Sequence, residues 1–215
     1  PTYQFGWKVL GAVLKKTGRI SESLVASQKS VQLEPQDAEA HSNLGVTFQE
    51  LGRLKEAEAI YRQAIALKFD NAEFHYNLGV TLQELGRLKE AEASYLQAIS
   101  LKPGHAEAHN NLGVTLKELG KLDEAEVNYR QAIALKPDNA EAHQSLGNTL
   151  KELSKLEGAE ESYKKAIILK NDFRKAQVGL GNVLMLKGQH QEGLEQIRLG
   201  NGAIIFDIDN WSIIQ

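Results

Sequence analysis

The chain has 215 residues, with 28 acidic and 25 basic side chains, a formal net charge of −3 and no cysteine. Interleaved charges of both signs leave no one-signed field to recruit nucleic acid or an anionic membrane, and the missing thiols exclude disulfides, thiolate zinc sites and cysteine nucleophiles. No apolar run approaches the roughly 20 residues that span a bilayer; nothing at the N-terminus looks like a signal peptide, and with a composition compatible with a reducing compartment a cytoplasmic location is the expectation.

Leucine-glycine pairs recur at Leu10-Gly11, Leu44-Gly45, Leu78-Gly79, Leu112-Gly113, Leu146-Gly147 and Leu180-Gly181, each thirty-four residues after the last. A fixed period of this size marks a stack of supersecondary units that contact mainly their neighbours and together display an extended surface. The units are placed at 4–37, 38–71, 72–105, 106–139, 140–173 and 174–207, making one elongated domain over 4–207 with an apolar tail at 203–215. In the first unit Trp7 stands where later units have His, and Ser23, Ser27 and Ser30 replace Ala, Tyr and Ala. These departures suit a cap, because a terminal unit has a neighbour on one side only. The chain opens on Pro1, which reads as a fragment or a processed product.

The second unit shows the local logic. Ala38 to Leu51 carries Leu44, Phe48 and Leu51 at helical spacing, with Ala40 and Thr47 on the same side. Asp37, and Asn71 one unit later, are N-cap candidates, with Glu39 and Glu73 in the first turn near the positive end of the helix dipole. Gly52 reads as the left-handed terminator. A second helix from Leu54 to about Leu67 is expected to bury Leu54, Ala57, Ile60, Tyr61, Ala64 and Leu67, and small residues at Gly45, Ala57 and Ala64 allow two backbones to approach. Ser154 replaces the terminating Gly, and Phe69 and Asn171 replace the Pro found at 35, 103 and 137; looser joints are expected there. In the last unit Gly193, Ile197 and Gly200 fill the Ala, Tyr and Ala rows, and the helix ends near Leu199 with Asn201-Gly202 as a turn.

Ala57, Ala91, Ala125 and Ala159 form one row, Tyr61, Tyr95, Tyr129 and Tyr163 another, and Ala64, Ala98, Ala132 and Ala166 a third. With Pro35, Pro103 and Pro137 near unit ends, these rows resemble the tetratricopeptide repeat (TPR) family, whose units are antiparallel helix pairs. The resemblance implies an all-α fold, a right-handed TPR superhelix (solenoid) of six 34-residue helix-turn-helix units plus a short non-repeat C-terminal tail.

The residues of the first helices left over after packing are the groove candidates. One row reads Asn43, Asn77, Asn111 and then Ser145, with Val46, Val80 and Val114 one turn further on; beside them lie Ser42, Tyr76, Asn110 and Gln144, then Gln49, Gln83, Lys117 and Lys151. A carboxamide offers both donor and acceptor and so pairs with both the N–H and the C=O of a peptide bond. Such a row suits an extended segment held by its backbone, with valines supplying dry contact. The ladder is similar to that of the repeat arms of O-linked N-acetylglucosamine transferases, matched here by Asn43, Asn77 and Asn111. A second reading stays open, in which the Asn row bonds to the neighbouring unit and stabilises the wall. Since Val114 is followed by Asn148 and Asn182, the groove is expected to be more apolar toward its N-terminal half.

Chaperone-binding members of the family clamp a peptide C-terminal carboxylate with Lys and Arg. Here Lys8 sits at one clamp-like position, but Ala12 stands where an Asn is expected, and Glu50, Glu84, Glu118 and Glu152 fill a row where a Lys is needed. Glu39, Glu73, Glu107 and Glu141 add negative charge, so a neutral or mildly basic partner is expected. The row His41, His75, His109 and His143 is spaced by helix pairs, too far apart for one metal, and reads as packing. No phosphate-cradling loop and no Ser–His–acid arrangement is legible, since Gly179 and Gly181 belong to the repeat; the acid-x-acid Asp207-Ile208-Asp209 alone carries no chemistry.

The reading is a non-catalytic scaffold that binds a protein or peptide segment in its groove, with no cofactor, metal, nucleic acid or membrane. The alternative is a substrate-recruiting arm of a larger transferase whose chemistry lies elsewhere. Residues 203–214 are apolar and β-prone. They are expected to cap the last unit, to begin a strand of a downstream domain, or to dock into another copy and cause self-association.

Overall fold

Short polar side chains start three of the helices. Asp37 Oδ1 accepts from the N–H groups of Glu39 at 2.9 Å and Ala40 at 3.1 Å, Asn71 Oδ1 from that of Glu73 at 3.0 Å, and Asn139 Oδ1 from that of Ala142 at 3.1 Å. Each satisfies donors that have no partner within the helix. The computed structural model describes residues 3–202, 205–207 and 212–214 and divides into two units, Pro1–Thr115 and Leu116–Gln215. The first holds α1 (Gln4–Lys16), α2 (Ile20–Leu33), α3 (Ala38–Glu50), α4 (Leu54–Leu67), α5 (Ala72–Glu84), α6 (Leu88–Leu101) and most of α7 (Ala106–Glu118). The second holds the end of α7, then α8 (Leu122–Leu135), α9 (Ala140–Glu152), α10 (Leu156–Leu169), α11 (Arg174–Leu186) and α12 (His190–Gly200), followed by β1 (Ile205–Asp207) and β2 (Ser212–Ile214).

The helices form six repeats of a first and a second helix, the all-α repeat fold that the period predicts. In the first unit α1 packs beside α3 and α3 beside α5, so the first helices line up in one layer, and in the second unit α9 packs beside α11 in the same way. The tail pairs with itself: β1 and β2 are antiparallel, with Ile205 opposite Ile214, Phe206 opposite Ile213 and Asp207 opposite Ser212. The cap, downstream-strand and self-association readings turn also on residues 203, 204, 208–211 and 215, which include Asp209 and Trp211 and lie outside the described residues. No described helix is long and apolar enough to cross a membrane.

Each interior pair is built around a tyrosine. Tyr61, Tyr95, Tyr129 and Tyr163 are 0%, 0%, 1% and 0% exposed, and a Cβ added at Gly45 or Gly79 would lie 2.7 Å from the ring of Tyr61 or Tyr95. Glycine on the first helix is therefore what admits the ring. The small residues Ala57 and Ala64, both fully buried, flank Tyr61.

Leu67 departs from the expected core, being 36% exposed. At 100° per residue it lies about 90° from the centre of the stripe Ala57, Tyr61 and Ala64, and Leu54 and Ile60, nearer that centre, are half-buried. The terminal repeats are also packed more tightly than their unusual residues suggest. A Cβ at Gly181 would meet the Gly193 carbonyl oxygen at 2.6 Å, and one at Gly200 would meet Val178 at 2.6 Å, so α11 and α12 touch backbone to backbone. In the first repeat Ser23 and Ser30 are each 1% exposed, and the Ser23 hydroxyl donates to the Gly11 carbonyl at 2.8 Å.

Candidate functional site

Packing leaves one narrow stripe on each interior first helix. In α3 every residue is buried except Glu39, Asn43, Val46, Gln49 and Glu50. In α5 the equivalents Glu73, Asn77, Val80, Gln83 and Glu84 stay unburied, joined by Ala72 and Tyr76; in α7 Glu107, Asn111, Val114, Lys117 and Glu118 do, joined by Ala106 and Asn110. The stripe follows from helical periodicity: the other positions meet the second helix or the adjacent first helix. Ser42 is buried, at 8% exposure.

The stripe residues differ in what they already bond. Gln49 Oε1 accepts from the Tyr61 hydroxyl at 3.2 Å and Gln83 Oε1 from the Tyr95 hydroxyl at 2.8 Å, so these two buried phenols are satisfied from the edge of the stripe. Tyr163 uses Asn148 Oδ1, at 2.6 Å, in the same way. Lys117 pairs with Glu152 at 2.9 Å. Asn111 Nδ2 donates to the Tyr76 hydroxyl at 3.2 Å, across thirty-five residues, and Asn110 Nδ2 donates to Asn111 Oδ1 at 3.3 Å. Asn43 and Asn77 are half-buried, and among the described residues their carboxamides make no hydrogen bond; their backbone carbonyls take the hydroxyls of Thr47 and Thr81, each at 2.9 Å.

The histidine row is a tether. Nε2 of His41, His75, His109 and His143 lies 2.9, 2.8, 3.2 and 3.0 Å from the carbonyl oxygens of Pro35, Phe69, Pro103 and Pro137. A carbonyl only accepts, so Nε2 carries the proton. The bond survives at Phe69, where the proline is missing, and the Phe69 ring packs edge-on to His75 at 5.1 Å.

Lys8 does not offer a clamp. Its ammonium lies 3.0 Å from Asp37 and 2.9 Å from Glu39, and Gln4 also donates to Asp37, at 2.7 Å. Burial opposes the Asp37 charge, but the hydrogen bonds from Lys8, the Ala40 N–H and Gln4 outweigh it and hold the carboxyl below its usual range. Burial likewise lowers and the bonds to Glu39 and Asp37 raise the Lys8 pKa, with a net upward shift. Glu141 is paired with Lys170 at 3.1 Å. Glu50, Glu84 and Glu118 remain exposed on the stripe.

Two features carry no sequence-based expectation. His105 breaks the capping row Asp37, Asn71 and Asn139; it is 5% exposed and neither ring nitrogen makes a hydrogen bond. In the second unit a cleft of about 840 Å³ lies along α8 and α10, bordered by Arg130, Ile133, Gly158, Lys165 and Ile168. Its signals were Gly158 in a row of Glu56, Glu90 and Glu124, and Ile168 in a row of Ala66, Ser100 and Ala134.

A family model described as TPR repeat matches residues 49–86, 82–120 and 115–154, and one described as tetratricopeptide repeat matches 140–173. No curated protein matches the chain. Among solved structures, PilF of Pseudomonas aeruginosa superposes with a TM-score of 0.81 at 21% identity, covering 93% of this chain and 91% of that one. MamA gives 0.70 at 25% identity, covering 75% and 94%. YrrB, described as a TPR protein with an unusual peptide-binding site, gives 0.68 at 25% identity, covering 79% and 88%. Thirty-four-residue helix pairs, a tyrosine wedged against a first-helix glycine at Gly45, Gly79 and Gly147, and these matches lead to one conclusion: the chain belongs to the tetratricopeptide repeat family.

Proposed function

We propose that the chain is a non-catalytic interaction scaffold that holds an extended peptide segment along its first-helix face, with Asn43, Asn77 and Asn111 bonding the segment's backbone and Val46, Val80 and Val114 contacting its side chains. The observation that carries this reading is the pair Asn43 and Asn77, half-buried at equivalent positions of adjacent helices and uncommitted among the described residues. A half-buried carboxamide loses part of its hydration, and a peptide bond replaces both its donor and its acceptor partners. Asn111 is drawn toward Tyr76 and Asn110, so the wall-stabilising role holds at that rung and the ligand exchanges with a weak contact there. Exposed Glu50, Glu84 and Glu118 favour a neutral or mildly basic segment. YrrB's peptide-binding site supplies a precedent in a similar fold.

The test is to select binders from a random twelve-residue displayed peptide library and titrate them into wild type and into Asn43→Ala/Asn77→Ala/Asn111→Ala. Each lost hydrogen bond is expected to cost about 0.5–1.5 kcal/mol. Unchanged affinity with an intact helical spectrum, or no selected binder at all, overturns the reading.

A further inference from the structure

The second helices carry an internal template for an ion-pair cluster. In the first unit Arg62 on α4 pairs with Glu58 of its own helix at 2.9 Å and with Glu90 on α6 at 3.4 Å, while Arg87 reaches Glu58 at 2.6 Å and also holds Glu90. Two cations thus share two acids across the joint. Sixty-eight residues on, within the second unit, the same positions hold Glu126, Arg130, Lys155 and Gly158. Glu126 still takes Arg130 at 2.9 Å and Lys155 at 2.6 Å, but the second acid is gone. Asp123 approaches Lys155 to 3.6 Å, which leaves Arg130 with Glu126 alone among the described residues.

Gly158 borders the cleft along α8 and α10, and the α10 residues that border it with Gly158 also depart from their rows. Glu161 stands in a row of Ala59, Ala93 and Val127, Lys165 in a row of Gln63, Gln97 and Gln131, and Ile168 in a row of Ala66, Ser100 and Ala134. Positions 158, 161, 165 and 168 fall on successive turns of one helix face. Glycine weakens a helix interior, and Ile168, 71% exposed, adds nothing to the core. Residues that break local rules without a return in stability mark functional positions. Glu157 and Glu160 on the rim are paired with Lys187 at 3.6 and 2.7 Å, and Glu160 also with Lys164 at 2.6 Å. Lys165 is exposed and makes no ion pair among the described residues.

We propose that this cleft docks a partner protein through a segment that carries one carboxylate side chain between apolar ones. The carboxylate sits over Gly158 and accepts from Arg130 and Lys165, supplying the charge that Glu90 supplies to Arg62, while its apolar neighbours rest on Ile133 and Ile168. Charge complementarity fixes the chemistry of the occupant. A planar guanidinium donates to both oxygens of a carboxylate, and Gly158 leaves room that a side chain would otherwise take. Glu161, unpaired among the described residues, limits the occupant to a single acid. The surface goes beyond the first-helix reading: no residue of the Asn or Val rows borders it, and its charge preference has the opposite sign.

The experiment uses two capped pentapeptides, alanine-leucine-glutamate-leucine-alanine and the same sequence with glutamine, which keeps the shape and removes the charge. Affinities are measured by NMR titration, reading the signals of Ile133, Gly158 and Ile168 so that only binding at the cleft is scored. The glutamate peptide is expected to bind about fivefold more tightly, and Arg130→Gln to reduce it to the glutamine level without changing glutamine binding. Gly158→Glu restores the row residue and is expected to remove the preference by filling the vacant position. A Cβ at 158 meets only Leu150 Cδ1, at 3.2 Å, the movable end of a side chain, so this variant keeps the fold. Equal affinities on wild type, an undiminished preference in Arg130→Gln or in Gly158→Glu, or no binding of either peptide overturns the proposal.

Discussion

Ser154 shows how a repeat tolerates one wrong residue. Its φ is 59°, the left-handed conformation that Gly52 adopts at φ 69° in the equivalent turn. The turn closes with the same bonds: Ser154 N–H to Lys151 O at 3.0 Å and Lys155 N–H to Leu150 O at 2.8 Å, against 2.9 Å for both in the Gly52 turn. The joint is therefore bonded like the others and carries strain, where sequence reading expects a looser end. Relief of roughly 1–2 kcal/mol of Cβ clash, less up to about 1 kcal/mol of extra unfolded-state entropy, makes Ser154→Gly stabilising by about 0.5–1 kcal/mol. Urea unfolding of the two proteins checks it; a lower midpoint for the glycine variant contradicts the strain.

At the scale of an element, the start of α3 joins local capping to tertiary charge pairing. Asp37 caps its own helix and holds Lys8 from α1. Asn71 and Asn139 cap α5 and α9 without a charge, so Asp37→Asn keeps the cap and removes the ion pair. It is expected to cost roughly 0.5–1 kcal/mol at pH 7. Because the folded Asp37 carboxyl titrates below its ordinary value, its contribution is full above the unfolded value of about 3.9 and is lost as pH falls through the lower folded value. Thermal unfolding of both proteins should show a gap at neutral pH that closes below about pH 4; a gap independent of pH removes the charge from the account.

On the scale of the whole molecule, the tyrosine row makes stability a collective function of pH. Burial, assisted by nearby glutamates, pushes the hydroxyl pKa of Tyr61, Tyr129 and Tyr163 well above 10. The unfolded chain gives up these protons near pH 10 while the folded chain keeps them. The contribution is therefore full below that pH and falls as pH rises through the folded values. Urea midpoints should drop above pH 10, more steeply for wild type than for Tyr61→Phe/Tyr129→Phe/Tyr163→Phe. Parallel slopes would show that other groups carry the alkaline loss.

Much of this molecule was open to one-dimensional reading because it repeats. The thirty-four-residue period, the caps at Asp37 and Asn71 and the terminator at Gly52 are local relations, and recurrence separates them from chance. Leu67 was misplaced because regular spacing does not locate the centre of a buried stripe. His105 and the Gly158–Ile168 cleft went unread because each is a break in a row, and a break acquires meaning only from its surroundings.

By itself the sequence determined the helix pairs and their register, since backbone hydrogen bonding and steric fit act over a few residues or one repeat. Only the tertiary structure decided which polar rows are already occupied. Gln49 serves the Tyr61 hydroxyl, His41 ties the Pro35 carbonyl, Lys8 neutralises Asp37 and Glu39, and Asn43 and Asn77 are left over. The reason is directional: a hydrogen bond or ion pair needs its partner at about 3 Å and in line, and whether one is there depends on how neighbouring helices are turned toward each other.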